Sequence, residues 1–463
     1  MANKQNTYII GVGMTKFIKP RGLVDYPEMG FEAGVKAMVD AGINYDDVEQ
    51  GVACYAYGDS TSGQRVFYQF GMTQIPILNV NNNCSTGSSG LFMARQWLQH
   101  GVANCALVIG FEKMAPGSLG SKFTDQTNPL DKTIMKMVET RGLAPKVAAP
   151  PQLFGNAGRE YMEKFGAKAE DFAEIARVNH AHSVNNPYSQ FQDVYTLEQI
   201  LNSPKVHDPL TKLQCCPTSD GAAAAVLVNE TFLQAHPELA ARAILIAGQA
   251  LTTDSPDLFS NSAISLVGSD MTARAARLAY KEAGLTDPKQ AKIIEVHDCF
   301  SANEMVVIDA IGLSEPGRAH ELVRRGDITY GGRCIVNPSG GLISKGHPLG
   351  ATGIAQAAEL VWHLRGWATN RLYNGDGRGV DCAVAHNLGL GGACVVSVLR
   401  RKDGGEGLKS DGSGQGGWKE HIGYNPAVEA RPVTDADVMR VVSRSKDSPY
   451  MHGKQGKPAR ASL

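Results

Sequence analysis

The chain states one pattern twice. Cys84-Ser-Thr-Gly87-Ser-Ser-Gly90 leads into Leu91 to Gly101, where Leu91, Ala94 and Leu98 are spaced for one face of a helix. His347-Pro-Leu-Gly350-Ala-Thr-Gly353 leads in the same way into Ile354 to Gly366, and each helix precedes a short apolar run suited to a buried strand, Ala103 to Gly110 and Asp381 to Ala385. The two copies stand 263 residues apart. A second echo flanks them. Ala33 to Asp47 reads as an Ala-rich helix ending in Ala41-Gly42-Ile43, followed by the strand Gly51 to Tyr55; Ala273 to Asp287 ends in Ala283-Gly284-Leu285 ahead of the strand Lys292 to Val296. Gly just past a helix is the usual left-handed stop. Helix followed by strand, repeated in both halves, predicts an α/β fold in which sheets are covered by helices.

What the halves do not share outlines the domains. Lys113 to Gln214 has no counterpart in the second half, so the expected division is a first half over 1–112 and 215–240, an inserted subdomain over 113–214, and a second half over 241–401. From 402 to 463 the text turns to glycine pairs and scattered charge, which predicts a flexible tail. With 45 Lys+Arg against 46 Asp+Glu, the chain lacks the cationic surplus that nucleic acid or an anionic membrane demands, and no nucleic-acid partner is expected. No apolar run approaches the ~18 residues of a membrane span, so no integral membrane segment is expected. The nine cysteines form no CxxC pair, which argues against zinc or dithiol chemistry; no metal is expected, and burial is the default for each thiol. Cys54, Cys105, Cys334, Cys382 and Cys394 read as core, and Cys215-Cys216 with Pro217 to Gly221 as packing and turn residues.

Two residues begin the repeated helices. Cys84, after Asn81-Asn82-Asn83, stands at a helix N-terminus, where the peptide dipoles favour thiolate, and so reads as a nucleophile. His347 is its echo. A neutral imidazole there can take the proton of Cys84 across a pseudo-twofold axis, the alternative being a structural, hydrogen-bonded histidine. Ser339, Gly340 and Gly341, just upstream, are expected to let a substrate approach the backbone. His297-Asp298-Cys299-Phe300 ends a strand and forms a second titratable cluster, while His386-Asn387-Leu388-Gly389 opens a glycine-rich loop whose amides could hold an oxyanion. His180, His182 and His207 show no metal-ligand pattern.

Taken in order from about Tyr8 to Leu399, these motifs resemble the thiolase superfamily, and His297 to Phe300 with His386 to Gly389 resemble its sterol-carrier-protein type. The resemblance implies duplicated βαβαβαββ halves in a five-layered α/β/α/β/α assembly with an inserted loop domain. It implies that Cys84 becomes acylated, that His347 activates it, and that His297 replaces the Asn that binds the thioester oxygen in other thiolases. Those thiolases carry a second catalytic Cys where this chain has Asn387; Cys299 would supply that thiol, and Gly389 is retained. The implied reaction is thiolytic cleavage of a 3-oxoacyl-CoA to a shortened acyl-CoA plus acetyl-CoA or propanoyl-CoA, with coenzyme A as substrate and no cofactor. A homodimer is implied as well. Ala461-Ser462-Leu463 resembles the Ser-Lys-Leu address and, with the family, points to the peroxisome, with mitochondrion or cytoplasm as alternatives. Two other readings stay open: Claisen condensation by the same residues, and a non-catalytic lipid-transfer protein on the same fold.

Overall fold

The computed structural model describes residues 4–22, 24–114, 125–145, 147–373, 380–402, 411–413 and 417–451. Its strands, in chain order, are β1 (Thr7–Met14), β2 (Gln50–Cys54), β3 (Ile77–Val80), β4 (Cys105–Glu112), β5 (Lys205–His207), β6 (Leu210–Thr211), β7 (Gly221–Asn229), β8 (Ile244–Thr252), β9 (Ile293–Glu295), β10 (Ile335–Val336), β11 (Cys382–Gly389) and β12 (Ala393–Arg401). β5 and β6 form a small hairpin, and the other ten strands run in the order β10-β9-β11-β12-β8-β1-β7-β4-β2-β3. Counted outward from the centre, both arms pair antiparallel twice and then parallel twice. The echo in the text is therefore an echo in topology. Among the described residues, the strand pairing that joins the arms is Tyr8↔Leu245 and Ile9↔Ile244, a short seam between β1 and β8.

Side-chain alternation sorts the layers. On β7, Ala222, Ala224, Val226 and Val228 face the helix Tyr26–Ala41, while Ala223, Ala225 and Leu227 face the helices Thr86–Gln99 and Leu349–Leu364. In the second arm Ile293, Ala383 and Ala385 face those same two helices, and Ile294, Val384 and Val396 face the helix Ser269–Ala283 on the far side. Two central helices are thus enclosed between two sheet arms, each covered outside by another helix. All 16 residues of Leu349–Leu364 are buried, as expected for a helix with neighbours all round.

Both central helices start about a turn earlier than their apolar faces suggest, at Thr86 and Leu349. The reason lies in the glycines. A Cβ on Gly87 would stand 2.7 Å from Gly350 O, and one on Gly353 would stand 2.5 Å from Ser88 N. The first turns of the two helices therefore touch backbone to backbone, a contact that Gly87 and Gly353 permit and an apolar stripe cannot advertise. Gly42 and Gly284 close the outer helices with φ of 73° and 63°, in the left-handed conformation expected of them.

The region between β4 and β7 carries the helices Asp131–Arg141, Ala149–Phe165, Ala169–Ser183 and Leu197–Leu201. It shares a core with the second half: Phe154, Tyr161 and Phe172 pack with Phe300, Met305 and Ile308, and the Phe154 ring stacks on Phe300 at 5.1 Å. This packing sets the insertion against the His297 to Phe300 segment.

The expected flexible tail needs correction where it is described. Residues 417–451 fold back over the first half, with Val438, Val441 and Val442 in the core beneath the helix Tyr26–Ala41 and Ala427 fully buried among the central-layer residues. Asn44 Nδ2 donates to Val442 O at 2.6 Å and Tyr188 Oη to Pro426 O at 2.8 Å. Few apolar residues serve this strap, but Ala427, Val438, Val441 and Val442 among them are buried, which a composition count cannot register. Residues 403–410, 414–416 and 452–463, including Ala461-Ser462-Leu463, lie outside the described residues. Val441→Ala is expected to lower unfolding stability by about 1–2 kcal/mol in denaturant titration; an unchanged midpoint would return this segment to the status of a loose tail.

Candidate active site

Each half delivers its residue to the junction through the same backbone device. Asn83 and Gly346, the residues just before Cys84 and His347, both take left-handed conformations, with φ of 52° and 111°. Asn is among the few non-glycine residues that tolerate this region. Its side chain also ties the nucleophile's loop to the other half, donating from Nδ2 to Leu390 O at 3.0 Å.

Beyond these turns the side chains converge. Cys84 Sγ and one ring nitrogen each of His297 and His347 lie within 4.8 Å of one another, and the two imidazoles stand 5.0 Å apart at 82°. Their hydrogen bonds set opposite polarities. The Thr352 hydroxyl donates to Pro348 O at 2.9 Å, so its contact with His347 Nδ1 at 2.7 Å requires the proton on Nδ1. His347 Nε2 is then a bare lone pair, and it is buried with no partner among the described residues. Asn387 Nδ2 donates to His297 Nδ1 at 3.0 Å, which leaves His297 Nε2–H as a donor. Burial, followed by the Lys345 charge, holds His347 down to about 3; burial, followed by His347 and His386, holds His297 well below its usual range. Both rings are neutral at pH 7, one ready to accept a proton and the other to donate a hydrogen bond. Cys84, His297 and His347 are also donors of the type a divalent ion takes, and an ion there would occupy nucleophile and base together.

The thiol itself departs from expectation. Burial, followed by the charge of Glu112, pushes Cys84 up to about 12, so the helix dipole does not produce a resting thiolate. Loss of water, and after it the Glu112 carboxylate, disfavour the charged form of the thiol. Cys84 waits as a thiol, and the free His347 lone pair is the group placed to take its proton. Cys299, more deeply buried than the half-buried Cys84, is pushed well above its usual value by burial and then by Cys216, Cys84 and Asp298. A protonated thiol is what an acid requires.

Other candidates divide. His386 is on the opposite face of β11 from Asn387, bonded through Nε2 to Thr272 Oγ1 at 3.1 Å and accepting His297 N–H on Nδ1 at 3.3 Å. It buttresses His297 and does not face Cys84. Gly389 packs its backbone on the nucleophile's loop, where a Cβ would come within 2.3 Å of Asn82 O and 3.1 Å of Ser85 N. Ser339, Gly340 and Gly341 were expected at the substrate and stand elsewhere. Ser339 is fully buried, its hydroxyl donating to Glu295 at 2.8 Å and accepting from Lys345 at 2.7 Å, and a Cβ on Gly340 or Gly341 would strike Ser183 or Asp298. Their glycines serve packing. Sequence reasoning missed Cys216, which runs antiparallel beside Cys299 and donates its N–H to Cys299 O at 2.9 Å, and Ser219, whose Oγ accepts His347 N–H at 3.0 Å. Only a long-range pairing exposes these two, and no local spacing signals it.

The comparisons agree with this architecture. Models of the thiolase N-terminal domain and of the thiolase C-terminal domain-like family match residues 7–231 and 248–401. The chain belongs to the thiolase family and is an acyltransferase of the thiolase fold. It is 54% identical over 414 residues to sterol carrier protein 2 of Gallus gallus, covering 88% of this chain and 74% of that one. Among solved structures it superposes on an Ltp2-ChsH2(DUF35) aldolase with TM-score 0.72 and 22% identity, over 87% of this chain and 99% of the other. It superposes on human mitochondrial 3-ketoacyl-CoA thiolase with TM-score 0.63 and 18% identity, over 87% of this chain and 100% of the other. At such identities the likeness is one of fold.

A thiol held up near 12 predicts a sign for the resting reactivity of Cys84. Without substrate, its alkylation by iodoacetamide, followed by peptide mass spectrometry, is expected to climb about tenfold per pH unit from 6 to 9. A plateau with a midpoint below 7 would restore the dipole-stabilised thiolate.

Proposed function

We propose that the chain cleaves 3-oxoacyl-CoA by thiolysis through a Cys84 acyl-enzyme. One observation carries the assignment: Cys84 Sγ and one ring nitrogen each of His297 and His347 lie within 4.8 Å of one another, where His347 Nε2 is a bare lone pair and His297 Nε2 carries the proton. His347 Nε2 takes the thiol proton as Cys84 Sγ bonds to C3 of the substrate, and the C3 oxygen becomes an alkoxide. The alkoxide collapses and the C2–C3 bond breaks, its electron pair passing to the enolate of the departing acyl-CoA. His297 Nε2–H supports the enolate oxygen, and Cys299 supplies the proton to C2. Coenzyme A then passes its thiol proton to the Cys299 thiolate and attacks the acyl carbon, and Cys84 leaves to be reprotonated by His347. Preorganised donors at the developing charges are the largest single contribution to such a reaction, typically 10²–10³-fold for one donor.

Condensation uses the same residues in reverse, and the direction is read from whether free coenzyme A drives cleavage. A lipid-transfer role finds support in the name of the sterol carrier relative, but the three converging side chains favour catalysis. The products are acetyl-CoA from straight chains or propanoyl-CoA from 2-methyl-branched ones, including sterol side chains. A homodimer is supported by β3, an edge strand paired only with β2 and bearing Leu78 at 39% exposure. The peroxisomal address rests on Ala461-Ser462-Leu463. Sedimentation at one chain's mass, or unchanged targeting after removal of the last three residues, would remove these two assignments. Cys84→Ser is expected to lower cleavage of a 3-oxoacyl-CoA by at least about 10³-fold, and wild-type turnover in that variant would end the assignment of the nucleophile.

A further inference from the structure

One fully buried acid takes no proton or bond in this chemistry. Glu112 ends β4, on the first half, with no exposed surface. Its carboxylate accepts three backbone amides: Tyr57 N–H on Oε1 at 3.0 Å, and on Oε2 both Ala56 N–H at 3.2 Å and Gly350 N–H at 2.8 Å. Two of these amides belong to the first half. The third belongs to the second half and lies three residues beyond His347. No cation pairs with Glu112 among the described residues.

From Glu112 the contacts run on to the nucleophile. Ala56 O accepts from Asn81 Nδ2 at 2.9 Å, and Asn81 Oδ1 accepts from Asn83 N–H at 3.1 Å. An unbroken path thus joins Gly350 to the residue before Cys84. There is little slack at its far end, because Gly350 O lies 2.1 Å from where a Cβ on Gly110 would be and 2.7 Å from one on Gly87. A buried carboxylate without a cation is a costly way to close a seam, and apolar packing would close it as well. What a carboxylate adds is directional: two oxygens can hold three amides from two halves in one geometry.

We propose that Glu112 is a positioning residue that locks the His347 turn of the second half onto the Cys84 loop of the first and so holds base and nucleophile at their working separation. The inference rests on the assignment of Cys84 and His347 made above. Glu112 touches neither residue's side chain in a hydrogen bond, so its positioning effect passes through the backbone, apart from the charge that it sets near Cys84.

The test is steady-state thiolysis of a 3-oxoacyl-CoA by the full chain carrying Glu112→Asp or Asn81→Ala. The aspartate keeps the charge but withdraws it by one methylene. The alanine cuts the path at an exposed side chain, where folding is least at risk. Misplacement by about 1 Å can lower a rate by about 100-fold, and that is the kcat loss expected for Glu112→Asp, with about tenfold for Asn81→Ala. KM is expected to stay within about twofold, and the melting temperature of Asn81→Ala to be unchanged. Wild-type kcat in Asn81→Ala, or in a folded Glu112→Asp, overturns the proposal, as does a rise in KM with kcat preserved. Cys84→Ser separates the two levels. If that variant still turns over, the nucleophile has been misassigned; if it is inactive while the path variants are unimpaired, the role of Glu112 alone fails.

Discussion

The site exists because two helices touch at their first turns. Gly87 on one and Gly353 on the other allow backbone contact where any larger residue would force the helices apart, and Gly90 and Gly350 let the same turns lie against β2 and β4. Cys84 and His347 stand immediately ahead of those turns, so the closeness of the glycines becomes the closeness of nucleophile and base. The same requirement explains the sheet: each half must carry its central helix to a common layer, and the mirrored strand order with its narrow β1–β8 seam places both helices there. The outer helices and the returning strap at 417–451 close the faces that this arrangement leaves bare.

Inside that junction the resting state is electrically quiet. Burial disfavours the charged forms of Cys84, His297 and His347 alike, and Glu112 adds to the effect on the thiol. Polarity is instead assigned by neighbours: Thr352 fixes the proton of His347, and Asn387 that of His297. A site of this kind avoids a standing thiolate that could be oxidised or alkylated, and makes one only as a substrate carbonyl arrives to share the charge.

Much of the fold was legible because it is written in glycine and alternation. Gly42 and Gly284 marked helix ends, Ala222 to Val228 marked a buried strand, and the doubled motif marked two halves around one axis. Within the site, Cys84, His347, His297 and Cys299 stood out because each sits at the end of an element, where a local pattern changes. What stayed hidden depends on contacts between distant segments. The glycines at 340 and 341 resembled ligand-facing residues but accommodate Ser183 and Asp298, and Cys216 meets Cys299 through a pairing 83 residues apart in the chain. The protonation of Cys84 was misjudged for the same reason. Its helix is visible in the text, whereas the burial that disfavours the thiolate, and after it the Glu112 charge arriving from another strand, exist only in the assembled fold.

The central claim is that the acyl group passes to Cys84. Mixing the protein with a 3-oxoacyl-CoA in the absence of free coenzyme A, quenching in acid and sequencing the labelled peptide by mass spectrometry tests it directly. The account predicts a thioester of the shortened acyl chain on Cys84 alone. An acyl group on Cys299 or Cys216, or departure of the short acyl-CoA with no adduct on the protein, would contradict it.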